Sequence, residues 1–287
     1  MQSLKKRRLL QAPFLFLAFF LAGAYPAFGD CKATRLDESV RGAQVLDGDT
    51  LRLPSGRKLR LIGVNAPELN VSQGAEPLAS EARRFVLRFV AQADVLQLQY
   101  GAEKEDRYGR LLAHVFDGSG KSLEQALLEQ GLAFQITVGR NDALQECLRS
   151  AEQSARQKQL GVWGQSYYQA TPPGILKEGF RLVRGTVQNV HLPSRGSWWL
   201  DLDSGVSLVI RPADQLQFHK ADLLALQGRL IEARGWLIKR KQGAKAERRS
   251  PWLMPLSHGT MVEIASTEKA ASDFGYGKSG RVVISDL

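Results

Sequence analysis

Two short stretches of the chain carry side chains suited to phosphate chemistry. They are DGDTLRL at 47–53 and RLIGVNAPE at 60–68, and DRYGR at 106–110 adds Arg110. The candidate residues of the first two stretches carry side-chain oxygens or a guanidinium: Asp47, Asp49, Thr50, Arg60, Asn65 and Glu68. Oxygen ligands suit a hard divalent cation, and arginine stabilises the charge that develops when a phosphodiester is cleaved. Taken singly each residue is typical of a turn or a solvated face, but together they supply the types of side chain that phosphodiester cleavage requires.

A β-hairpin must position these residues. Four leucines of one parity, separated by the turn Pro54-Ser55-Gly56, predict its apolar face: Leu51, Leu53, Leu59 and Leu61. In a plain strand Arg60 and Asn65, five residues apart, point to opposite faces. They line one site only if the strand bends, and Gly63 is the position where we expect the bend.

In the rest of the first half, segments whose apolar residues have helical spacing alternate with segments that have strand spacing. Apolar spacing predicts a helix over 77–92, strands over 94–100 and 110–116, and a helix over 122–130. A longer helix is predicted over 141–160, capped by Asn141 and closed by Gly161. This order indicates an α+β domain built around a small barrel.

The second half changes character after a Pro- and Gly-containing linker at 167–179. Five short strands predict a second small all-β barrel: 180–190, 197–203, 206–211, 228–238 and 252–264. A basic stretch from Arg234 to Arg249, beside Trp236, suits either a nucleic-acid contact or a solvated loop with a core tryptophan. The predicted domains are therefore residues 30–166 and 180–265, followed by a loose tail at 266–287.

The N-terminus has the pattern of a secretory signal peptide. Lys5, Lys6, Arg7 and Arg8 precede an apolar run and the small residues of Ala27-Phe28-Gly29. The alternative, a retained membrane anchor, fits less well because the run is short and broken by Pro26. We expect cleavage after residue 29, a periplasmic or secreted protein and no stable membrane span after processing. Removing those four positive charges lowers the formal net charge from +10 to +6, still basic enough to favour polyanions.

The chain has two cysteines, Cys31 and Cys147. In an oxidising compartment they are candidates for a disulfide, since a free thiol there is a liability. A buried core thiol at Cys147, on the apolar face of the predicted helix, is the alternative.

The order and spacing of DGDTLRL, RLIGVNAPE, DRYGR and a long helix ending in GVWG resemble the staphylococcal-nuclease-like (thermonuclease) family over about residues 40–165. The resemblance implies a five-stranded oligonucleotide/oligosaccharide-binding (OB) barrel with three helices, and hydrolysis of DNA and RNA with Ca²⁺. It assigns the catalytic roles to Arg60, Glu68 and Arg110. It implies metal ligation by Asp49, Asn65 and the backbone carbonyl of Ala66, and substrate contacts by Tyr108, Arg107 and Thr50. The second half is similar to the OB-like barrel that follows the nuclease domain in some bacterial relatives.

Two departures from the family pattern matter. Asn65 stands where the family has a second metal aspartate, and fewer ligand charges mean weaker Ca²⁺ binding. Thr137 and Gly139 stand where well-known members have base-stacking tyrosines.

The sequence leaves three functions to compare. The first is an exported, Ca²⁺-dependent nuclease of DNA and/or RNA that acts as a monomer without a small-molecule cofactor. The second is a nucleic-acid-binding protein that kept the fold and lost the chemistry, with Asn65 as its evidence. The third is an envelope scaffold that binds a protein or a glycan, for which binding would respond little to salt.

Overall fold

The structure, a computed structural model, describes residues 29–70, 74–170, 176–240 and 250–265. The predicted signal peptide, apart from Gly29, the predicted tail and most of the basic stretch lie outside these ranges. None of the helices in the described ranges is long and apolar enough to cross a bilayer.

The first half forms a closed barrel flanked by three helices. Its strands are β1 (Glu38–Val40), β2 (Gln44–Val45), β3 (Thr50–Arg52), β4 (Lys58–Leu61), β5 (Val64–Asn65), β6 (Leu96–Glu105), β7 (Leu111–Phe116) and β8 (Phe134–Gln135). Its helices are α1 (Ala79–Ala93), α2 (Leu123–Glu129) and α3 (Gln145–Gln157). The strand order is β1-β6-β7-β4-β3-β2, and β5 pairs with β8. Strands β1 and β2 follow each other in the chain and lie at the two ends of that order, so they act as one bent strand that joins both edges of the sheet. Counting β1 and β2 as one strand gives the predicted five-stranded barrel.

The core of this barrel follows the alternation in the sequence. Leu51, Leu59 and Leu61 are fully or almost fully buried, and helix α1 contributes Ala82 and Val86. The pairing of β4 with β7 is parallel, with Leu59 beside Leu111. The apolar face of the hairpin therefore specifies which side of the sheet is core.

A disulfide joins Cys31 to Cys147, with the two Cα atoms 5.5 Å apart. It ties the segment before β1 to helix α3 across 116 residues of chain. The predicted pairing is confirmed, and Cys31 packs inside the main core.

The second half is also a closed barrel. Its strands are β9 (Gly179–His191), β10 (Trp198–Leu202), β11 (Val206–Ile210), β12 (Leu230–Lys239), β13 (Trp252–Leu256) and β14 (Val262–Ile264), and α4 (Lys220–Ala225) lies between β11 and β12. The order is β13-β11-β10-β9-β12-β14, and β13 also pairs with β12. That additional pairing closes five strands into a ring, with β14 attached outside it. The fold class is therefore α+β with two small OB-like barrels, as predicted.

Several predicted elements differ from the structure. Helix α3 begins at Gln145, and Asn141 does not cap it. The Asn141 side chain instead pairs with the backbone of Glu103 in β6, through bonds of 2.9 and 3.0 Å. The predicted strand 252–264 is interrupted by a 3₁₀ turn at Gly259–Met261, and helix α4 was not predicted.

The two barrels share a third apolar cluster. Phe134 and Trp163 of the first half pack with Phe180 and Leu182 of β9, and Tyr168 from the start of the predicted linker is buried among them. The centroids of the Phe134 and Phe180 rings are 5.2 Å apart. The second barrel is therefore packed directly against the first.

Buried ion pairs accompany this apolar contact. Nη1 of Arg234 contacts Oε2 of Glu152 in α3 at 2.6 Å, and Arg156 contacts Glu232 at 2.7 Å. The side chain of Arg234 is only 3% exposed. Both interpretations of the basic stretch, a nucleic-acid contact and a solvated loop, are wrong for Arg234, since it is buried and pairs with an acid 82 residues away in the chain. Trp236 is not a core residue either, because 37% of it is exposed.

Candidate active site

The chain bends at Gly63, as predicted. Gly63 has a φ of +82°, and a Cβ built there would lie 2.5 Å from a side-chain carbon of Leu148. A larger residue there would thus strain the backbone and would also clash with helix α3. The bend separates β4 from β5 and turns Asn65 toward the side of the sheet that Arg60 occupies.

Arg60 is the central residue of the site. Its Nη1 donates to the carbonyl oxygens of Leu61 (3.0 Å) and Val64 (2.8 Å), which fixes the guanidinium on the bend itself. Its Nη2 faces Oδ2 of Asp49 at 2.9 Å and Oδ1 of Asn65 at 3.1 Å. Arg60 is 8% exposed, so these contacts are made in a largely water-free site.

Asp49 is held by the turn that begins DGDT. Its Oδ2 accepts the N–H of Ala66 at 2.8 Å, and its Oδ1 accepts the hydroxyl of Thr50 at 3.2 Å. The turn approaches the end of β5 closely because Gly48 has no side chain: a Cβ there would lie 2.6 Å from the Cβ of Ala66. The carboxylate of Asp47 accepts the N–H of Asp49 at 3.0 Å and adds negative charge nearby.

Both central carboxyl groups have raised pKa values. Burial raises the pKa of Asp49, and the neighbouring Arg60 opposes that rise. Burial also raises the pKa of Glu68, and the negative charges of Asp49 and Asp47 raise it further. Glu68 itself lies just past Pro67 on the exposed side of the cluster. A carboxyl group with this shift is better matched to proton transfer near neutral pH than an ordinary glutamate.

The donor set fits a hard divalent cation. The available groups are the carboxylate of Asp49, the amide oxygen of Asn65 and backbone carbonyls such as that of Ala66, all of them oxygen donors. The crowding of negative charge that raises the pKa of Glu68 would be relieved by a cation. In the described part of the chain, no three His, Cys, Asp or Glu side chains converge to hold a metal ion. The fit is thus to a site with few charged ligands.

Arg110 lies in the turn that precedes β7. Leu112 of β7 pairs with Arg60, so the two side chains point to the same face of the sheet. Because side chains two residues apart in a strand share a face, Arg110 is expected on that face as well. Its Nε donates to Oδ2 of Asp106 at 2.6 Å, and its guanidinium lies over the ring of Tyr108, 5.6 Å from the centroid. The structure therefore places Arg110 on the same side of the sheet as Arg60, in the turn before β7 and not within the Asp49 cluster.

Tyr108 and Arg107 form the exposed tip of that turn. Tyr108 is 68% exposed, and its hydroxyl accepts a hydrogen bond from Arg107 at 2.6 Å. The carboxylate of Asp106 organises the turn by accepting the N–H groups of Tyr108 and Arg110. An exposed aromatic ring between two arginines suits contact with a phosphate backbone.

The second barrel covers Thr137, one of the two positions where well-known members of the resembled family have stacking tyrosines. Thr137 is 1% exposed, its hydroxyl contacts that of Thr260 at 3.1 Å, and its carbonyl accepts from Ser257 at 3.1 Å. Gly139 lies against the carboxylate of Glu103. A base cannot stack at Thr137, because protein already fills that space.

Two acidic residues near the site were not predicted. Glu76 accepts the backbone N–H of Glu68 at 2.9 Å, and Asp106 holds Arg110. Asp106 begins the DRYGR stretch, and the Asp-to-Arg spacing of four residues in a tight turn could have indicated the pair. Nothing in the local sequence pattern around Glu76 indicates its contact with Glu68, which lies eight residues earlier.

Comparison with known proteins gives consistent matches. A family model described as staphylococcal nuclease homologue matches residues 58–165. The thermonuclease of Staphylococcus intermedius is 31% identical over 144 residues, which cover 47% of this chain and 84% of that protein. The thermonuclease of Staphylococcus hyicus is 30% identical over 131 residues, covering 44% of this chain and 76% of that protein. Endonuclease YncB of Bacillus subtilis (strain 168) is 32% identical over 131 residues, covering 44% of this chain and 61% of that protein.

Proposed function

Since the chain belongs to the family of staphylococcal nuclease homologues and is a nuclease that hydrolyses phosphodiester bonds, we propose that its reaction takes place at the cluster of Asp49, Arg60, Asn65 and Glu68. The observation that carries this proposal is that Asp49 and Asn65 both contact the guanidinium of Arg60. One buried nitrogen of Arg60 lies within 3.1 Å of oxygens from both Asp49 and Asn65. Glu68, with its raised pKa, lies beside them.

The roles of the residues follow from their contacts. The carboxylate of Glu68 orients the attacking water and accepts its proton. Arg60 is held on two backbone carbonyls, so its guanidinium can meet the phosphate without a large loss of side-chain freedom. Its Nη2 would exchange its contacts with Asp49 and Asn65 for the phosphate. Arg110, in the turn before β7, would supply a second guanidinium from the same side of the sheet, and the two guanidinium groups would stabilise the charge of the transition state.

We propose that the protein uses Ca²⁺, held by Asp49, Asn65 and the backbone carbonyl of Ala66. Bound there, the ion would supply Lewis-acid polarisation of a phosphate oxygen. The support is the oxygen-only donor set next to an excess of carboxylate charge. One formal ligand charge from Asp49, with a neutral amide at Asn65, gives weak affinity.

The proposed substrate is DNA and/or RNA, whose phosphates the exposed turn of Arg107 and Tyr108 would contact. The proposed form is an exported monomer with the boundaries given above, periplasmic or secreted. Support for export comes from the N-terminal charge and hydropathy pattern and from the disulfide, which persists in oxidising compartments.

The test of metal use is cleavage of single-stranded DNA and of RNA by the processed chain, residues 30–287. Each substrate is incubated with Ca²⁺, Mg²⁺ or Mn²⁺, or with a chelator. We expect cleavage with Ca²⁺, loss with chelator, and recovery when excess Ca²⁺ is returned. Equal cleavage with and without chelator would contradict the proposed metal dependence while leaving the nuclease activity in place.

A further inference from the structure

Glu68 is attached through its backbone to a second glutamate, Glu76, just before helix α1. Oε2 of Glu76 accepts the N–H of Glu68 at 2.9 Å, and the N–H of Glu76 donates to the carbonyl of Glu68 at 2.8 Å. This two-way bonding fixes the backbone of Glu68 even though its own side chain lies on the exposed side of the cluster. The position of Glu68 therefore depends on where Glu76 is held.

The second barrel holds the other oxygen of Glu76. Nη1 of Arg181, in β9, lies 3.6 Å from Oε1 of Glu76, and the hydroxyl of Tyr167 donates to the same oxygen at 3.3 Å. The Arg181 and Glu76 side chains are only 14% and 9% exposed. The charge of Glu76 is thus compensated by an arginine from the other barrel, in a place where water screens the pair little.

Arg181 is itself fixed. Its Nη1 donates to the carbonyl of Phe180 at 2.7 Å and its Nη2 to that of Glu178 at 3.1 Å, while its guanidinium lies 5.7 Å from the centre of the Tyr167 ring. Next to it, the hydroxyl of Tyr168 donates to the carbonyl of Pro77 at 2.6 Å. The turn that carries Glu76 is thus bound at two points by residues that pack with the second barrel.

We propose that Arg181 is a positioning residue for Glu68, acting through Glu76, and that the second barrel contributes to the reaction by this contact. The inference rests on the proposed role of Glu68. A carboxylate that directs a water at phosphorus must be placed to within about 0.5 Å, and such groups need support from residues behind them. Arg181 also neutralises the negative charge that Glu76 brings next to Glu68.

The test compares Arg181→Ala, Glu76→Ala and the double variant with the wild type in the full processed chain. Cleavage of single-stranded DNA is followed over a range of substrate concentrations. We expect kcat to fall by about 10- to 100-fold in each single variant, with KM little changed, since binding groups stay in place. The double variant should lose no more than the worse single variant, because both changes break the same connection. Glu76→Gln keeps an acceptor for the Glu68 N–H and should show a smaller loss.

Two controls separate positioning from stability. Arg156→Ala removes another ion pair between the barrels, to Glu232 at 2.7 Å, without touching Glu76. It should lower the thermal midpoint and leave kcat unchanged. The charge-reversed pair Glu76→Arg with Arg181→Glu restores opposite charges, but an arginine cannot accept the N–H of Glu68. It should recover thermal stability and not kcat.

The outcomes distinguish this inference from the proposed function. If the wild type cleaves, Glu68→Gln does not, and Arg181→Ala keeps the wild-type kcat, the positioning role is wrong and the proposed site stands. The same holds if kcat of Arg181→Ala falls only in proportion to the loss of folded protein. If Glu68→Gln cleaves as well as the wild type, the proposed role of Glu68 itself fails.

Discussion

Replacing Asn65 with aspartate adds a carboxylate beside Asp49, and the geometry sets the size of the effect. Both side-chain oxygens contact the same nitrogen of Arg60, at 2.9 and 3.1 Å. They therefore lie within about 6 Å of each other, where two carboxylates repel by about 3 kcal/mol at an effective dielectric constant of about 20. The nitrogen of Arg60 must give way to the ion, and a divalent cation between the two oxygens then removes this repulsion. We expect Asn65→Asp to bind Ca²⁺ about 100-fold more tightly, which is the affinity ratio that corresponds to about 3 kcal/mol.

The assay is calorimetric titration of Ca²⁺ into wild type, Asn65→Asp and Asn70→Asp. The last is a matched control, because Asn70 is exposed and a charge there is not placed on Arg60. The Ca²⁺-dependent rise in thermal midpoint should follow the same order as the affinities. If Asn65→Asp and Asn70→Asp bind Ca²⁺ equally well, position 65 is not a metal ligand and the reasoning is refuted.

Three further predictions concern stability. Arg234→Met should lower the free energy of unfolding by about 3–5 kcal/mol, because it leaves the buried carboxylate of Glu152 without its counterion. Denaturant titration measures this loss, and a loss below about 1 kcal/mol would contradict the prediction. Arg156 and Arg234 outweigh the burial of Glu232 and lower its pKa from 4.5 to about 2. Stability of about 3 kcal/mol should therefore be present above pH 4.5 and lost as the pH falls toward 2, and Glu232→Gln should flatten that part of the measured profile. Cys31→Ser with Cys147→Ser should cost about 5 kcal/mol because the bond closes a loop of 116 residues, and reductant should shift the midpoint of the wild type but not that of the variant.

Local patterns in the sequence predict the hairpin and its bend. The leucine alternation around Pro54 specifies the buried face, and the conflict between Arg60 and Asn65 identifies Gly63 as the bend. Both inferences depend only on the two-residue period of a strand and on the conformational freedom of glycine. This is why the centre of the candidate site could be predicted from residues a few positions apart.

The contacts between the barrels could not be predicted in this way. Arg234 and Glu152 are 82 residues apart, and a single arginine in a basic stretch gives no sign of a buried partner. Asn141 was expected to cap helix α3 because it precedes an apolar period, but its side chain satisfies the backbone of Glu103 in β6 instead. In each case the role of a polar side chain depends on a partner that is distant in the sequence, and local propensity carries no information about that partner.

The role of Glu68 is tested most directly by comparing Glu68→Gln with the wild type in single-turnover cleavage and in binding of the same single-stranded DNA. Glu129→Gln, on the surface of helix α2, is the matched control for loss of one carboxylate. The account predicts that Glu68→Gln loses cleavage by about 100-fold or more while its Kd for DNA stays close to that of the wild type. Cleavage at the rate of the Glu129→Gln control would contradict the assignment of the chemistry to this cluster.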